Sequence, residues 1–260
     1  MKCLKTVVKC LFFPYVAGYN KLAFSCRWYA ALFNPFYFAR KNLHRHISAL
    51  CGNLSGKILD VGCGTKPYKD MIRHTGYVGL EFDTPENRNS KQADIFYDGV
   101  YFPLEDAAFD GILTTQVLEH VFTPEIFMTE LNRVLKPGGK LLLTVPFVWD
   151  EHEQPYDFGR YSSFGLKALL ERHGFEIIEH RKSCSNITLF FQLWNVYLYK
   201  KICVRDNIIL FQTVIFLSSI SNIAGALLDL FLPENSDLYL DNVVLAVKKQ
   251  PAGQRNDGLD

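Results

Sequence analysis

The chain has 260 residues, of which 48% are hydrophobic and 21% are charged, and its formal net charge is +1. A chain of this length and composition can bury a sizeable core in one domain with appendages, which excludes disorder for most of its length. The charge is uneven, because residues 1–59 hold nine Lys or Arg residues and no acidic residue. A basic arm on an acidic body suggests an anionic partner for the arm, either a membrane or a nucleic acid.

The seven cysteines are scattered along the chain and form no C-x-x-C pair or Cys/His cluster in the sequence. The sequence therefore predicts no bound metal. An odd number of cysteines without a pattern fits a reducing, cytoplasmic environment.

Residues 1–50 are basic, apolar and aromatic, and we predict that they form a segment distinct from the body of the protein. A signal peptide fits poorly, because Pro14 and Lys21 interrupt a short apolar run. Two interpretations stay open. The segment is either a helical cap over the ligand site or a membrane-interfacial segment, with lysines near anionic headgroups and aromatic side chains at the boundary.

The segment Lys57–Thr65 begins the body of the protein with a buried strand, because Ile58, Leu59 and Val61 suit a pleated core surface. Asp60 ends this strand with a carboxylate, and Gly62 and Gly64 allow a sharp turn and close approach of a ligand. We predict a helix from Pro67 to Arg73, with its positive end directed at the same space. The pattern is typical of a nucleotide-type ligand site at the first strand-to-helix crossing of an α/β sheet.

A second apolar strand, Tyr77–Asp83, carries Glu81 about 20 residues after the Gly-rich turn, where a carboxylate can accept both hydroxyl protons of a ribose. A dinucleotide site would require G-x-G-x-x-G. This chain has Pro67 in place of the third Gly, and its pattern is Asp-x-Gly-x-Gly.

Four ordered stretches carry a family resemblance: 58–64 (ILDVGCG), 78–81 (VGLE), 109–121 (FDGILTTQVLEHV) and 133–143 (RVLKPGGKLLL). On these the chain resembles the class I S-adenosylmethionine-dependent methyltransferases, close to the type 11 group, over about residues 50–180. Many members of the family have a third Gly at position 66, where this chain has Lys66.

The resemblance implies that S-adenosylmethionine (SAM) is the cofactor. It implies that Asp98 accepts the adenine amino group and that Gln116 flanks the cofactor. Together with the acids and glycines above, the predicted cofactor site comprises Asp60, Gly62, Cys63, Gly64, Glu81, Phe82, Asp98, Gly99 and Gln116.

From residue 57 to 145 strands and helices alternate, which predicts a parallel sheet. Further strands are expected near Gln92–Phe96, Gly111–Thr114, Leu141–Val145, Phe175–His180 and Asp241–Lys248, and helices over Pro124–Val134 and Ser163–His173. The expected fold is a Rossmann-like α/β domain. It has a seven-stranded, mostly parallel sheet with helices on both faces, an N-terminal helical segment and a helical insert before the last strand.

The loop after the fifth strand, Pro146–Tyr161, combines acids, a His, an Arg and aromatic residues at the ligand-binding edge of the sheet. A hydroxyl acceptor would need a base, and His152 and His120 are the candidates, with Asp157 or Glu153 as an orienting acid. We predict that Glu153, Tyr156, Arg160 and Tyr161 contact the substrate.

Residues 183–236 form an apolar insert, in which the stretch Asn207–Leu232 contains Asp229 as its single charge. A stretch of this length suggests a membrane span. A single span is rejected, because it would place the seventh strand across the bilayer from its sheet. A buried helical pair, a homodimer interface and a monotopic hairpin stay open. The predicted domain comprises 51–182 and 237–249, and 250–260 is expected to be a disordered tail.

The sequence thus predicts a SAM-dependent methyltransferase acting on a small or lipid-linked acceptor, such as a hydroxyl of a glycan sugar. Two alternatives are a non-catalytic SAM-binding scaffold protein and a nucleic-acid methyltransferase. The latter is disfavoured because the Asn/Asp-Pro-Pro-aromatic signature of base methylation is missing from the sequence. The predicted location is the cytoplasm, with peripheral contact to the inner face of the membrane as an option.

Overall fold

A computed structural model of the chain describes residues 27–90, 92–202 and 207–250. The chain divides into two compact units. The sheet unit is built from Arg45–Ser183 and the segment from Asp241 onward. The helical unit is built from the segment up to His44 and from Cys184–Leu240. The N-terminal residues 1–26 and the tail 251–260, for which we make the predictions above, lie outside the described residues.

The described residues form a seven-stranded sheet in the order β3-β2-β1-β4-β5-β7-β6. Its strands are β1 (Ser55–Val61), β2 (Arg73–Phe82), β3 (Ile95–Tyr97), β4 (Phe109–Thr115), β5 (Leu135–Pro146), β6 (Phe175–Ser185) and β7 (Tyr239–Lys248). The pairs formed by β1 through β5 are parallel, and β7 is antiparallel to β5. This arrangement confirms the predicted Rossmann-like, mostly parallel sheet.

Six α-helices occur in the described part of the chain: α1 (Tyr37–Cys51), α2 (Pro85–Ser90), α3 (Pro124–Val134), α4 (Ser163–Arg172), α5 (Asn186–Ile202) and α6 (Ile208–Leu228). The bounds of α3 are those predicted from the sequence. Helix α4 begins after Ser162, whose hydroxyl accepts a hydrogen bond from the Gly165 amide at 3.2 Å, as expected of an N-cap serine.

The core of the sheet unit is formed by the central strands and α3. Ile58, Leu59, Ile112 and Leu113 are completely buried, as expected for parallel strands that are covered on both faces. Phe127, Met128 and Leu131 of α3 are buried in the same core. The core fixes the strands so that their carboxyl ends lie at one edge of the sheet.

The helix predicted from Pro67 to Arg73 is wrong. These residues form a single 3₁₀ turn, Lys69–Met71, and β2 already begins at Arg73. The 11 residues from 62 to 72 must return along β1, because Ser55 pairs with Arg73. Because β2 already begins at Arg73, only residues 67–72 are left for a helix, and the chain makes the return through turns.

Other boundaries shift by a few residues. The third strand, expected near Gln92–Phe96, is confined to Ile95–Tyr97. The second strand begins four residues before its predicted start at Tyr77. Strand β6 extends beyond His180 to Ser185.

The helical unit contains α5 and α6, and three amide side chains are buried on its inside. Asn195 donates to Asn222 at 2.9 Å, and both side chains are completely buried. Gln192 is buried as well, and donates to the Pro35 carbonyl at 3.0 Å. The exposed positions of the two helices are instead large and apolar, and include Phe190, Trp194, Tyr197, Phe216, Ile220 and Leu227. Helix α6 is long and apolar enough to cross a membrane.

Candidate active site at the carboxyl edge of the sheet

Three acids lie at the ends of three adjacent strands. Asp60 is in β1, Glu81 is in β2, and Asp98 directly follows β3. Because β1 pairs with β2 and β2 with β3 in parallel, these strand ends meet at one edge of the sheet. Glu81 is close enough to Asp60 to raise the pKa of its carboxyl. Glu81 and Asp98 both act electrostatically on Tyr97.

The turn after β1 requires glycine at Gly62. Its φ is +69°, and a Cβ at this position would lie 2.3 Å from the Cγ2 of Val117. Gly64 also has a positive φ, of +48°, but a Cβ there would meet nothing within 4 Å. Its amide donates to Glu81 Oε2 at 3.0 Å. The turn therefore presents open backbone next to a carboxylate.

Lys66 occupies the position where many family members have a third glycine. Its φ of +53° lies in the left-handed region that favours glycine. Here the side chain is tied to Asp94 by an ion pair of 2.5 Å. Asp94 also accepts from the Gly79 amide at 2.6 Å, so that the ion pair anchors the turn to β2.

Asp60 is almost completely buried, and its Oδ2 accepts a hydrogen bond from the Tyr77 hydroxyl at 2.7 Å. Burial raises the pKa of the Asp60 carboxyl to about 7, and Glu81 raises it further, whereas the Tyr77 hydrogen bond opposes the rise. Cys63 is buried in the same turn, and burial raises the pKa of its thiol to about 12. This thiol is therefore an unreactive packing group.

Asp98 is exposed and forms a turn of its own. Its Oδ1 accepts from the amides of Val100 and Tyr101, both at 2.9 Å, and these hydrogen bonds lower the pKa of the carboxyl. Gly99 has a φ of +89°, and a Cβ there would lie 2.9 Å from the Phe82 ring. Phe82, Asp98 and Gly99 are thus neighbours beyond the ends of β2 and β3.

The end of β4 contributes a second polar group. Gln116 has a φ of +56°, and its Nε2 donates to the Thr144 hydroxyl at 3.1 Å. Asp241 of β7 is buried and accepts from the Ser183 hydroxyl at 2.6 Å. Burial raises the pKa of Asp241 to about 7.

The loop after β5 is held by Arg160. This side chain donates to both oxygens of Asp157, at 2.6 and 2.7 Å, and to the carbonyls of Asp150 and Gly159. The Arg160 hydrogen bonds hold the pKa of Asp157 well below its usual range. Arg160, which we predicted to contact substrate, thus has its donors engaged within the loop.

The two predicted base candidates lie side by side, with His120 and His152 ring centroids 4.8 Å apart. His120 Nδ1 lies 2.6 Å from the Tyr156 carbonyl oxygen, so this nitrogen carries the proton and donates. His152 Nδ1 lies 3.3 Å from both Asp157 Oδ2 and the Asp150 carbonyl. Because both Nδ1 atoms face acceptors, Nε2 is the nitrogen with a lone pair in the neutral form of each ring.

Glu119 lies beside these rings and is 0% exposed. Neither of its carboxylate oxygens has a hydrogen-bond partner among the described residues. Its Oε1 lies 3.9 Å from His120 Nε2, and burial raises the pKa of the carboxyl to about 8. A buried carboxyl without a partner is costly, which makes Glu119 a candidate for a functional group.

The other predicted substrate residues differ in their environment. Glu153 is exposed, with Oε2 at 3.9 Å from His120 Nε2, and Tyr156 is exposed next to it. Tyr161 instead packs against the hydrophobic core. Our sequence analysis assigned no role to Glu119 or Asp241. The signal for both was an acid within an apolar stretch, Val117–Val121 and Tyr239–Val247.

A family model described as a methyltransferase domain matches residues 33–180. The chain belongs to this family. It is a SAM-dependent methyltransferase, as predicted from the sequence.

Two relatives illustrate the similarity of this methyltransferase to other proteins. It is 29% identical over 166 residues to the O-methyltransferase rstn1 of Aspergillus nomiae, covering 54% of this chain and 74% of the relative. It is 29% identical over 133 residues to a probable SAM-dependent methyltransferase of Mycolicibacterium smegmatis, covering 46% of this chain. The match spans about half of that second relative, 52% of its length.

Solved structures share the fold. The cyclase SpnF has a TM-score of 0.52 at 20% identity, and the match covers 81% of this chain and 82% of the SpnF chain. A phosphoethanolamine N-methyltransferase of Haemonchus contortus in complex with SAM has a TM-score of 0.51 at 18% identity. The match covers 85% of this chain and 55% of the N-methyltransferase chain.

The residues at the sheet edge fit SAM. The Gly62–Gly64 turn leaves open backbone where a side chain would obstruct a ligand, and the carboxylates of Glu81 and Asp98 face the same edge. The cluster of Glu119, His120 and His152 lies near this turn. Val117 is next to Gly62, and Glu119 is two residues after Val117.

Proposed function

We propose that this methyltransferase transfers the methyl group of SAM to a hydroxyl oxygen of a small or lipid-linked acceptor, such as a sugar of a glycan. The observation that carries the proposal is the pair of neighbouring imidazoles of His120 and His152 at the carboxyl edge of the sheet, each of which has its Nδ1 against an acceptor. A hydroxyl must lose its proton during methylation, and a neutral imidazole is the side chain best suited to remove it near neutral pH.

In this proposal the cofactor lies across the ends of β1, β2 and β3. The amides and open backbone of Gly62, Cys63 and Gly64 would contact its methionine end, and Asp60 would supply negative charge behind the turn. Glu81 would accept the ribose hydroxyls. Asp98 would accept the adenine amino group, with Phe82 and Gly99 beside the ring and Gln116 next to the cofactor.

Bound SAM supplies an activated methyl group and a neutral thioether leaving group. The chain's own residues prepare the acceptor. The Nε2 of His120 or His152 accepts the hydroxyl proton, while the Tyr156 carbonyl and Asp157 fix the two rings through Nδ1. Glu153 and Tyr156 line the exposed side of the cluster and are the proposed acceptor contacts. Because Arg160 and Tyr161 are engaged elsewhere, we assign them to holding the loop.

The lipid-linked part of the proposal is supported by the helical unit. Buried Gln192, Asn195 and Asn222 on the inside and large apolar side chains on the outside are the arrangement expected of helices that face lipid. The segment after α6 adds exposed Leu230, Phe231 and Leu232, and Lys200 and Lys201 end α5. We therefore propose peripheral insertion into the cytoplasmic leaflet, in preference to a homodimer interface.

The first experiment identifies the acceptor. The purified protein is incubated with methyl-labelled SAM and with the membrane and soluble fractions of its source cells. We expect label in a base-stable product of the membrane fraction, and at least 100-fold less with the His120→Gln and His152→Gln double variant. SAM binding by calorimetry without any labelled product would instead indicate a non-catalytic scaffold protein. Label in RNA or DNA would indicate a nucleic-acid methyltransferase.

The second experiment tests lipid contact by flotation with vesicles that contain anionic lipid. The variant Phe231→Ser, at a residue 82% exposed, is expected to float less than the wild type. The matched control is Phe164→Ser in α4 of the sheet unit, at a residue 83% exposed, which should leave flotation unchanged. Equal flotation of all three proteins would contradict the proposed role of the helical unit.

A further inference from the structure

The cluster of Glu119, His120 and His152 has the donor set of a transition-metal site. One oxygen or nitrogen atom from each side chain lies within 4.8 Å of the others. Two imidazoles and one carboxylate suit divalent ions such as Zn²⁺ or Fe²⁺. The sequence predicted no metal, because Glu119 and His120 are separated from His152 by 31 intervening residues and no ligand spacing links them.

The outer contacts of the cluster are those of a metal site. Histidine ligands normally donate their second ring N–H to a carboxylate or a backbone carbonyl, which fixes the tautomer and aims the other nitrogen at the metal. His120 makes this contact with the Tyr156 carbonyl at 2.6 Å, and His152 makes it with Asp157 at 3.3 Å. Asp157 is in turn fixed by Arg160.

The burial of Glu119 is a second observation, independent of the histidine contacts, that supports a bound cation. It is completely buried, and both of its oxygens lack a hydrogen-bond partner among the described residues. A bound cation would satisfy these oxygens and remove the cost of burying them. Exposed Glu153, with Oε2 at 3.9 Å from His120 Nε2, can reach the same point from the solvent side.

We propose that Glu119, His120 and His152 bind one divalent transition-metal ion. Zn–N bonds measure about 2.0–2.1 Å, so binding would draw the three side chains closer together. This inference deepens the proposed function and rests on it for its catalytic meaning. With an ion bound, His120 and His152 would serve as ligands and could not act as the base. The ion would supply Lewis-acid chemistry that lowers the pKa of the acceptor hydroxyl, and Glu153 would replace the histidines as the group that accepts its proton.

The test is calorimetric titration of the chelator-treated full-length protein with Zn²⁺. We expect one site per chain in the wild type, and its loss in Glu119→Gln and in His152→Asn. The control His74→Asn changes an exposed histidine outside the cluster and should retain the site. Asp157→Asn weakens an outer contact and should reduce Zn²⁺ affinity by about 10–100-fold.

A second probe excludes the cysteines. Co²⁺ bound at the cluster should show ligand-field bands without thiolate charge-transfer absorption, and these bands should disappear in Glu119→Gln. Equal Zn²⁺ stoichiometry in the wild type and in Glu119→Gln, with circular dichroism showing both folded, would overturn the site.

The two proposals can fail separately. Methyl transfer that continues unchanged in chelator-treated protein, without a Glu119-dependent Zn²⁺ site, overturns the metal proposal and leaves the proposed function intact. A Glu119-dependent Zn²⁺ site in a protein that transfers no methyl group to any hydroxyl acceptor keeps the site and overturns the proposed function.

Discussion

Asp60 is a residue at which stability opposes the proposed role in cofactor binding. It is a carboxyl buried at the end of a core strand, and its pKa is raised to about 7, mainly by burial. The unfolded chain releases this proton near pH 4, whereas the folded chain keeps it up to about pH 7. Folding stability therefore falls as the pH rises from about 4 to 7 and stays reduced above that range.

We predict that Asp60→Asn removes this pH dependence. The amide can still accept from the Tyr77 hydroxyl, but it carries no charge at any pH. The free energy of unfolding of the variant should exceed that of the wild type at pH 8 by roughly 1–3 kcal/mol, since one pKa unit corresponds to about 1.4 kcal/mol. Urea unfolding of both proteins without cofactor, at pH 5 and pH 8, measures the difference. If the difference in the free energy of unfolding between variant and wild type is the same at both pH values, the prediction that the pKa of Asp60 is raised is wrong.

The same substitution should weaken SAM binding. At pH 8 the wild type presents a carboxylate behind the turn and the variant does not. A stabilised protein with unchanged SAM affinity by calorimetry would argue against a role for Asp60 in the cofactor site.

At the scale of elements, the β1–β2 connection decides the form of the cofactor site. It contains no helix beyond the 3₁₀ turn Lys69–Met71, so a helix dipole makes no contribution there. The turn is instead fixed by backbone conformation at Gly62 and by the ion pair of Lys66 with Asp94. The loop after β5 is likewise fixed by one side chain, Arg160, rather than by regular structure.

We predict that Gly62→Ala is far more damaging than Gly64→Ala, although both residues have positive φ. An added Cβ at Gly62 would collide with Val117, whereas one at Gly64 meets open space. Gly64→Ala should cost only the backbone strain of about 1 kcal/mol, and Gly62→Ala at least 1–2 kcal/mol more. Thermal unfolding without cofactor compares the two variants, and similar losses would contradict the steric argument. Shortening Val117 to Ala should partly rescue Gly62→Ala and not Gly64→Ala.

At the scale of the whole molecule, the chain combines two units that differ in their buried polar groups and exposed surfaces. The helical unit buries the amides of Gln192, Asn195 and Asn222 beside aliphatic residues, and exposes many large apolar side chains along α5 and α6. The domain boundaries predicted from the sequence stay a prediction, as do the roles of the individual site residues.

We predict that the two units respond to different ligands in hydrogen–deuterium exchange. SAM at 100 times its dissociation constant should stabilise the sheet unit by about 2.7 kcal/mol and protect the amides of the Gly62–Gly64 turn. Anionic vesicles should protect α6 and leave the β1–β2 turn unchanged. Protection of both regions by either ligand alone would contradict separate roles for the two units.

The sequence by itself determined the strand content of the sheet and the helix Pro124–Val134, because these depend on local signals, whereas the cofactor followed from the family resemblance. Buried strands read as aliphatic runs, a tight turn requires glycine, and Pro and Gly mark helix ends. It also placed the acids of β1, β2 and β3 at one edge, since parallel strands end together. The ordered set of four stretches made the family recognisable.

Only the tertiary structure decided which groups meet. Turns replace the expected helix at Pro67–Arg73, because β2 already begins at Arg73, where it pairs with Ser55 at the start of β1. Burial is a property of the packed molecule, so the apolar flanks of Glu119 could not show that its carboxyl would lie without a partner beside His120 and His152. Likewise, the apolar insert could not show that its amides would turn inward and its aromatic side chains outward.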